Sequence, residues 1–414
     1  MSKSKAVKFY EFTDQLAAGL GRVSKRFVGD VLVGMLRSRS VRIWDIAAAL
    51  DKPVRIHATH KRLSRNLARQ GLADTISRNL LSMTARRVKQ ETPLVTHVYP
   101  LQKKYARKME FLVDAEALPE TGYPAYQVCE VVAYDPISGV LMPIAAHIWS
   151  RNAPDYVDDS DEILSVLKRV QEATAGRGVF FLDADVGALM LRAEPFANSV
   201  SRDAFRYVTA VSGRVELLHE GHLKFINEIP HLVERPFGVT TYKWIRGAQN
   251  VEVETAVVCS FGSNEVSLPE TPEKPLSLIV VDWDIPSARR AEGEQGEPLI
   301  YLSSEPAVKE REQLARIVET TFQLPDVVRA IASQKEAFNF SQVRVLTYDR
   351  LRVLLGLLHA TIYFEVAILK RRPTVREWTR SFNEPSPRIG DHPRSFMVPD
   401  EMRKVDAGSL AQAS

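Results

Sequence analysis

The chain has 414 residues, 45% apolar and 26% charged, with a formal net charge of +4. That length suggests two or three domains, or one domain with large insertions, and the composition excludes a chain disordered throughout. Charge is uneven: residues 1–90 carry 19 Lys/Arg against 6 Asp/Glu, a balance of +13, which leaves −9 for the rest. Such a segment suits a polyanion, most simply nucleic acid, or else a solvated basic surface. Cys129 and Cys259 stand far apart in apolar runs without metal-type spacing, so a reduced cytoplasmic setting is expected. The opening "MSKSKAVKFYEF" lacks the apolar core of a secretion signal.

Residues 7–90 carry apolar residues at helical three/four spacing, so residues 1–90 read as a helical, basic domain. Within it, "SVRIWDIAAALDKPVRIHATHKRLSRNLAR" resembles a helix–turn–helix, with Ser40 as a candidate cap and "DKPV" as the breaker. The second helix presents His60, Lys61, Arg62, Arg65 and Arg69, a basic set able to follow phosphates. An all-helical packing domain with an exposed basic face is the competing reading.

From residue 93 the texture changes. "PLVTHVY", "AYQVCEVVAYDP", "VLMPIAAHIWS" and "GVFFLDAD" are strand-like, with "DPISG" as a turn. "SDEILSVLKRVQEAT" is an amphipathic helix capped by Ser160 or a neighbouring Asp. Three strands, a helix, then a strand ending in carboxylates predict an α/β fold with a mixed sheet and crossover helices. Residues 205–304 read as a β-rich insertion containing the charged loop "ARRAEGEQGEP". Residues 305–380 return to helix; "VLLGLLHATIYFEVAIL" contains His359 and Glu365 and reads as a buried helix rather than a membrane span. Residues 381–414, rich in Pro, Ser, Gly and charge, read as a loose tail.

Asp183 and Asp185 close the apolar strand "GVFFLDADVG". Carboxylates there suit a hard cation such as Mg²⁺, and Asp is also simply favoured in a strand-ending turn. Glu319 stands on the helix "EREQLARIVETTFQL" beside Ile317, Val318 and Phe322, facing either a cleft or solvent. In the insertion, Lys243, Trp244 and Arg246 could stack on and hold DNA ends, or be ordinary sheet-surface residues.

The order of basic helical segment, strand end, strand end with Asp, β-insertion and helix with Glu resembles the DDE transposases of bacterial insertion sequences, of the insertion-sequence-four type. The resemblance covers roughly residues 10–370 and is carried by "SRSVRIWDIAAAL", "THKRLSRNLAR", "KKYARKMEFL", "GYPAYQVCEVVAYDP", "PIAAHIWS", "EPLIYLSS", "IVETTF" and "FNFSQVRVLTYDRLRVLLGLLHA". It implies a ribonuclease-H-like catalytic domain, spanning 91–204 and completed by 305–380 after the insertion. It also implies Mg²⁺- or Mn²⁺-dependent cleavage and transfer of DNA strands by three carboxylates holding two metals. Residue by residue, the second Asp falls on Asp183, with Asp185 as the alternative, and the Glu falls on Glu319. The first Asp falls on His97, with Asp114 the nearest downstream carboxylate. The basic segment after the first strand contains Lys103 and Lys104. Ala315, Arg316 and Asp326 stand where the family carries Arg, Trp and Lys around the Glu, so much of the supporting set departs from the pattern. The implied partner is double-stranded DNA bearing terminal inverted repeats, bound by a homodimer in the bacterial cytoplasm and nucleoid. The competing expectation is a catalytically inactive, transposase-derived DNA-binding regulator.

Overall fold

The computed structural model describes residues 3–377 except 105, 107, 119–121, 183–185, 188–190, 192–204, 212–214, 247–251, 285–297, 306–309, 372 and 376. For 3–5, 243–246 and 252–255 it describes the backbone alone. The expected loose tail over 381–414 and the loop "ARRAEGEQGEP", apart from Pro298, lie outside the described residues.

The chain forms a mixed α/β architecture in two compact units. One comprises 1–88, 98–175 and 326–414; the other comprises 89–97 and 176–325. Helices α1 (Lys3–Leu16), α2 (Arg22–Ser38), α3 (Ile43–Ala49), α4 (Ile56–Leu67) and α5 (Leu72–Ala85) come first. Strands β1 (Pro93–Gln102), β2 (Ala125–Asp135) and β3 (Val140–Trp149) follow, then α6 (Asp159–Thr174). Next come β4 (Val179–Leu182), β5 (Tyr207–Ala210), β6 (Glu216–His219), β7 (His222–Phe225), β8 (Phe237–Arg246), β9 (Glu252–Leu268), β10 (Thr271–Asp284) and β11 (Leu299–Ser303). The helices α7 (Arg311–Glu336) and α8 (Tyr348–Tyr363) close the described chain, and α8 runs on as a π-helical turn over Phe364–Ile368.

In the first unit the strand order is β3-β2-β1, with β2 and β3 an antiparallel pair. Asp135 builds their turn: its carboxylate accepts the Ile137 N–H and the Ser138 hydroxyl, and Gly139 supplies a φ of +65°. Helices α5, α6 and α8 pack on β3. Asp158 caps α6 by accepting the Asp161 N–H at 2.8 Å, choosing among the caps expected there. Ser40 is not the α3 cap, since Arg42 occupies that position. The Ser40 hydroxyl instead accepts the Arg42 N–H and donates to Asp45, a clamp across the first turn.

Helix α2 is buried over the whole run from Phe27 to Leu36. A helix covered all round needs partners on every side, and α2 packs on α1, α3, α4 and α8. Residues 1–88 therefore share one hydrophobic cluster and one unit with α8. The stretch Tyr348–Ile368 has the length and composition to cross a membrane, yet 83% of its apolar window is buried inside the structure. Its two polar interruptions are accounted for: His359 bonds to Glu130, and Glu365 pairs with Arg39 at 2.6 Å.

In the second unit the order is β1-β4-β5-β11-β10-β9-β6-β7, with β8 pairing β9. β1, β4 and β5 are parallel neighbours, and the pairings among β5 to β11 are antiparallel. Parallel pairing of β1 and β4 requires a long crossover, which the chain from β2 through α6 provides. The region read as one strand "HLKFINEI" is half of a hairpin. Glu220 and Gly221 at φ 52° and 78° form a tight turn between β6 and β7, a geometry more often signalled by Asn-Gly. Helix α7 continues through Pro325, which cannot donate to the Thr321 carbonyl; one unit ends at this proline and the other resumes at Asp326.

Candidate nucleic-acid interface and strand-end positions

The helix–turn–helix-like pair is α3 and α4, joined by Leu50–Arg55. Asp30 of α2, fully buried, fixes this geometry. Its carboxylate pairs with Arg62 of α4 at 2.8 Å and with Lys52 of the link at 3.5 Å. Gly34 lets α2 and α3 touch, because a Cβ there would collide with the Ile46 side chain. Arg62 is thus partly a structural cation, and Arg69 donates to the Ser24 hydroxyl at 3.1 Å. Lys61 and Arg65 are exposed one turn apart on α4.

Beside this pair, within the same unit, lies a groove of about 1100 Å³. α3 and the residue before it contribute Arg42 and Trp44, and α4 contributes His60 and Ser64. The chain after β1 contributes Lys103 and Lys104, and the segment before α8 contributes Arg344, with Arg350 in the first turn of α8. Among the described residues, the one acidic lining residue is Glu336. Arg42, Lys104 and Arg344 are exposed, and Trp44 is 41% exposed, its ring packed against His57 and His60. A groove with this surplus of cations, edged by an exposed aromatic ring, has the chemistry to hold a phosphate backbone and a stacked base.

Lys103 differs from its neighbour. It is buried, and its ammonium donates to the carbonyls of Phe340, Ser341 and Val343 at 3.1–3.2 Å. Burial pulls it down to about 8, against an opposing pull from Glu336. Lys103 therefore pins the 340–343 turn, while Lys104 lies over the Tyr123 ring at 4.9 Å. The sequence reading missed Arg42, Trp44, Arg344 and Arg350; all sit in stretches that look helical or loop-like until folding brings them to one groove.

His97 is half-buried on β1, one residue past Thr96, which is level with Leu182, the last residue of β4. Asp183 and Asp185 lie outside the described residues. Glu319 is half-buried on α7, flanked by buried Val318 and Thr320. Arg316 pairs with Glu312, and Asp326 with Arg329, so both engage neighbours on their own helix. Asp114 is exposed, just before a short 3₁₀ turn. Among the described residues no group of three or more His, Cys, Asp or Glu is placed to hold a metal ion. For Lys243, Trp244 and Arg246 the backbone places all three on β8, paired with β9, and their side chains lie outside the described residues.

A second polar cluster was not anticipated. Glu130, wholly buried on β2, accepts from Tyr99 at 3.0 Å and bonds to His359 Nε2 at 2.9 Å, while Lys335 closes on its other oxygen. Burial pushes the Glu130 carboxyl up, but Lys335 and His359 outweigh it and hold it at about 2. Burial lowers His359 and Lys335 and raises Tyr99. A lone Glu in the apolar run "YQVCEVVAY" was the available signal, because a charge inside a core strand requires a partner.

No protein-family model matches the chain, and no curated protein matches it.

Proposed function

We propose that the protein is a transposase-family DNA-binding protein of DNA transposition and recombination. The observation that carries this reading is the basic groove beside the α3–α4 pair. It adds Arg42, Lys104 and Arg344 to the exposed Lys61 and Arg65 of α4. The sheet lends support: three strands, a helix, then β4 parallel to β1, followed by a β-rich stretch before α7, is the order expected of a ribonuclease-H-like core with an insertion. The proposed chemistry is metal-dependent cleavage and transfer of DNA strands, with Asp183 and Glu319 as carboxylate ligands and His97 at the first-carboxylate position. Carboxylates at two positions and imidazole at the third favour Mn²⁺ over Mg²⁺, because imidazole is a poor Mg²⁺ ligand. Such a metal would supply charge stabilisation at the scissile phosphate. The proposed partner is double-stranded DNA with terminal inverted repeats, engaged by a homodimer in the cytoplasm.

The second reading, favoured by His97, is a transposase-derived regulator that binds DNA without cutting it. A strand-cleavage assay on terminal-repeat DNA with Mg²⁺ or Mn²⁺ separates the two. Cleavage abolished by Asp183→Ala supports the enzyme. Binding without cleavage under either metal, with cutting gained in His97→Asp, supports the regulator and locates its lesion.

A further inference from the structure

We propose that the cleft between α5, β3, α6 and α8 is a binding site for a small anionic amphiphile, one with an apolar body and an N–H or O–H donor. This site is independent of the basic groove and of any DNA chemistry. Its volume is about 790 Å³, inside the range of roughly 300–1,000 Å³ typical of small-molecule sites. Leu80, Ile144, Ile148, Val166 and Leu355 give it apolar walls.

His359 also lines this cleft and is 1% exposed. Its Nε2 faces Glu130, while its Nδ1 is buried with no hydrogen-bond partner among the described residues. Burial holds the imidazole neutral, and the ionised Glu130 only accepts, so Nε2 carries the proton. Nδ1 is left as a buried acceptor lacking a donor, a disfavoured state that a donating ligand relieves. Of the arginines on the cleft, Arg78 and Arg86 are exposed and have no ion-pair partner among the described residues. Of the two acidic lining residues, Asp74 is already paired with Arg352 at 2.7 Å. The lining therefore has surplus positive charge at an apolar cavity, and one of its buried lining residues, His359, holds an acceptor with no donor among the described residues.

The test uses the full-length protein and fluorescence titration with 8-anilinonaphthalene-1-sulfonate, which combines fused rings, an N–H and an anion. N-phenyl-1-naphthylamine, with the same rings and N–H but no sulfonate, is the neutral comparison. Saturable one-site binding of the sulfonate, at least about tenfold tighter than the neutral probe, is expected. Arg78→Glu with Arg86→Glu should erase that preference while leaving the neutral probe unchanged. Ala173→Trp, at an exposed lining position, should block both probes. An N-methylated sulfonate should bind severalfold more weakly, for want of a donor to Nδ1. Absence of saturable binding, equal affinity for the charged and neutral probes, or indifference to these variants or to N-methylation would overturn the proposal. Circular dichroism of each variant separates loss of the site from loss of the fold.

Discussion

Glu130 holds together residues far apart in sequence: Tyr99 at the end of β1, Lys335 near the end of α7 and His359 in α8. Removing the carboxylate of this buried set leaves the Lys335 ammonium buried without its counter-charge, and loss of one partner of a buried ion pair costs about 3–5 kcal/mol. Glu130→Gln should therefore lower unfolding free energy by about that amount in urea titration; a loss below about 1 kcal/mol would contradict the assigned pairing. Acid should act through the same group. Its folded-state value is depressed to about 2, so its stabilisation is complete above the unfolded carboxyl range and is lost as pH falls from about 4.5 towards 2. His359, lowered by burial, acts in the same direction, since below about 6.5 the unfolded chain takes up a proton that the folded imidazole resists. Stability measured against pH should fall on acidification through both windows, and Glu130→Gln should flatten the lower one.

At the scale of elements, the α2–α3–α4 arrangement depends on two small features. Asp30→Ala removes the carboxylate shared by Lys52 and Arg62, with an expected cost of about 2 kcal/mol, since both cations retain some solvent. Gly34→Val would force α2 and α3 apart at Ile46, costing about 1–3 kcal/mol. If the groove depends on that pair, Gly34→Val should weaken DNA binding more than its stability loss explains; unchanged affinity would detach the groove from α3. Elements of this kind were largely legible. β2 and β3 announce themselves by β-branched runs around the "DPISG" turn, and α6 by its acidic first turn. The β6–β7 hairpin was half missed because Glu-Gly is a weak turn signal. Helix α7 runs through Pro325 although proline removes one backbone donor there. The groove was less legible than its elements. The basic character of α4 could be read directly, but the role of Lys103 could not: only the fold shows its ammonium beneath three carbonyls. Conversely, nothing local in "SQVRVLTYDR" marks Arg344 as lining the same groove as Trp44.

At the scale of the whole molecule, the chain passes between its two units at Val88/Lys89, His97/Val98, Ala175/Gly176 and Pro325/Asp326. His97, Glu319, β4 and the strands from β5 to β11 belong to one unit; the basic groove and its helices belong to the other. The proposed division of labour follows: DNA is held by residues of the first unit, and any strand chemistry belongs to the second. Substitutions in the groove should then alter affinity without altering cleavage at saturating DNA. His97→Asp should do the reverse, which a binding isotherm and a single-turnover cleavage assay on the same variants would check. The measurement that tests DNA binding by the groove most directly is the salt dependence of affinity for terminal-repeat DNA. Wild type should be compared with the triple variant Arg42→Ala, Lys104→Ala, Arg344→Ala. Each lost phosphate contact is expected to reduce the slope of log affinity against log salt by about 1. A triple variant that binds more weakly with a slope shallower by about 3 is predicted; one with unchanged affinity and slope would contradict the account.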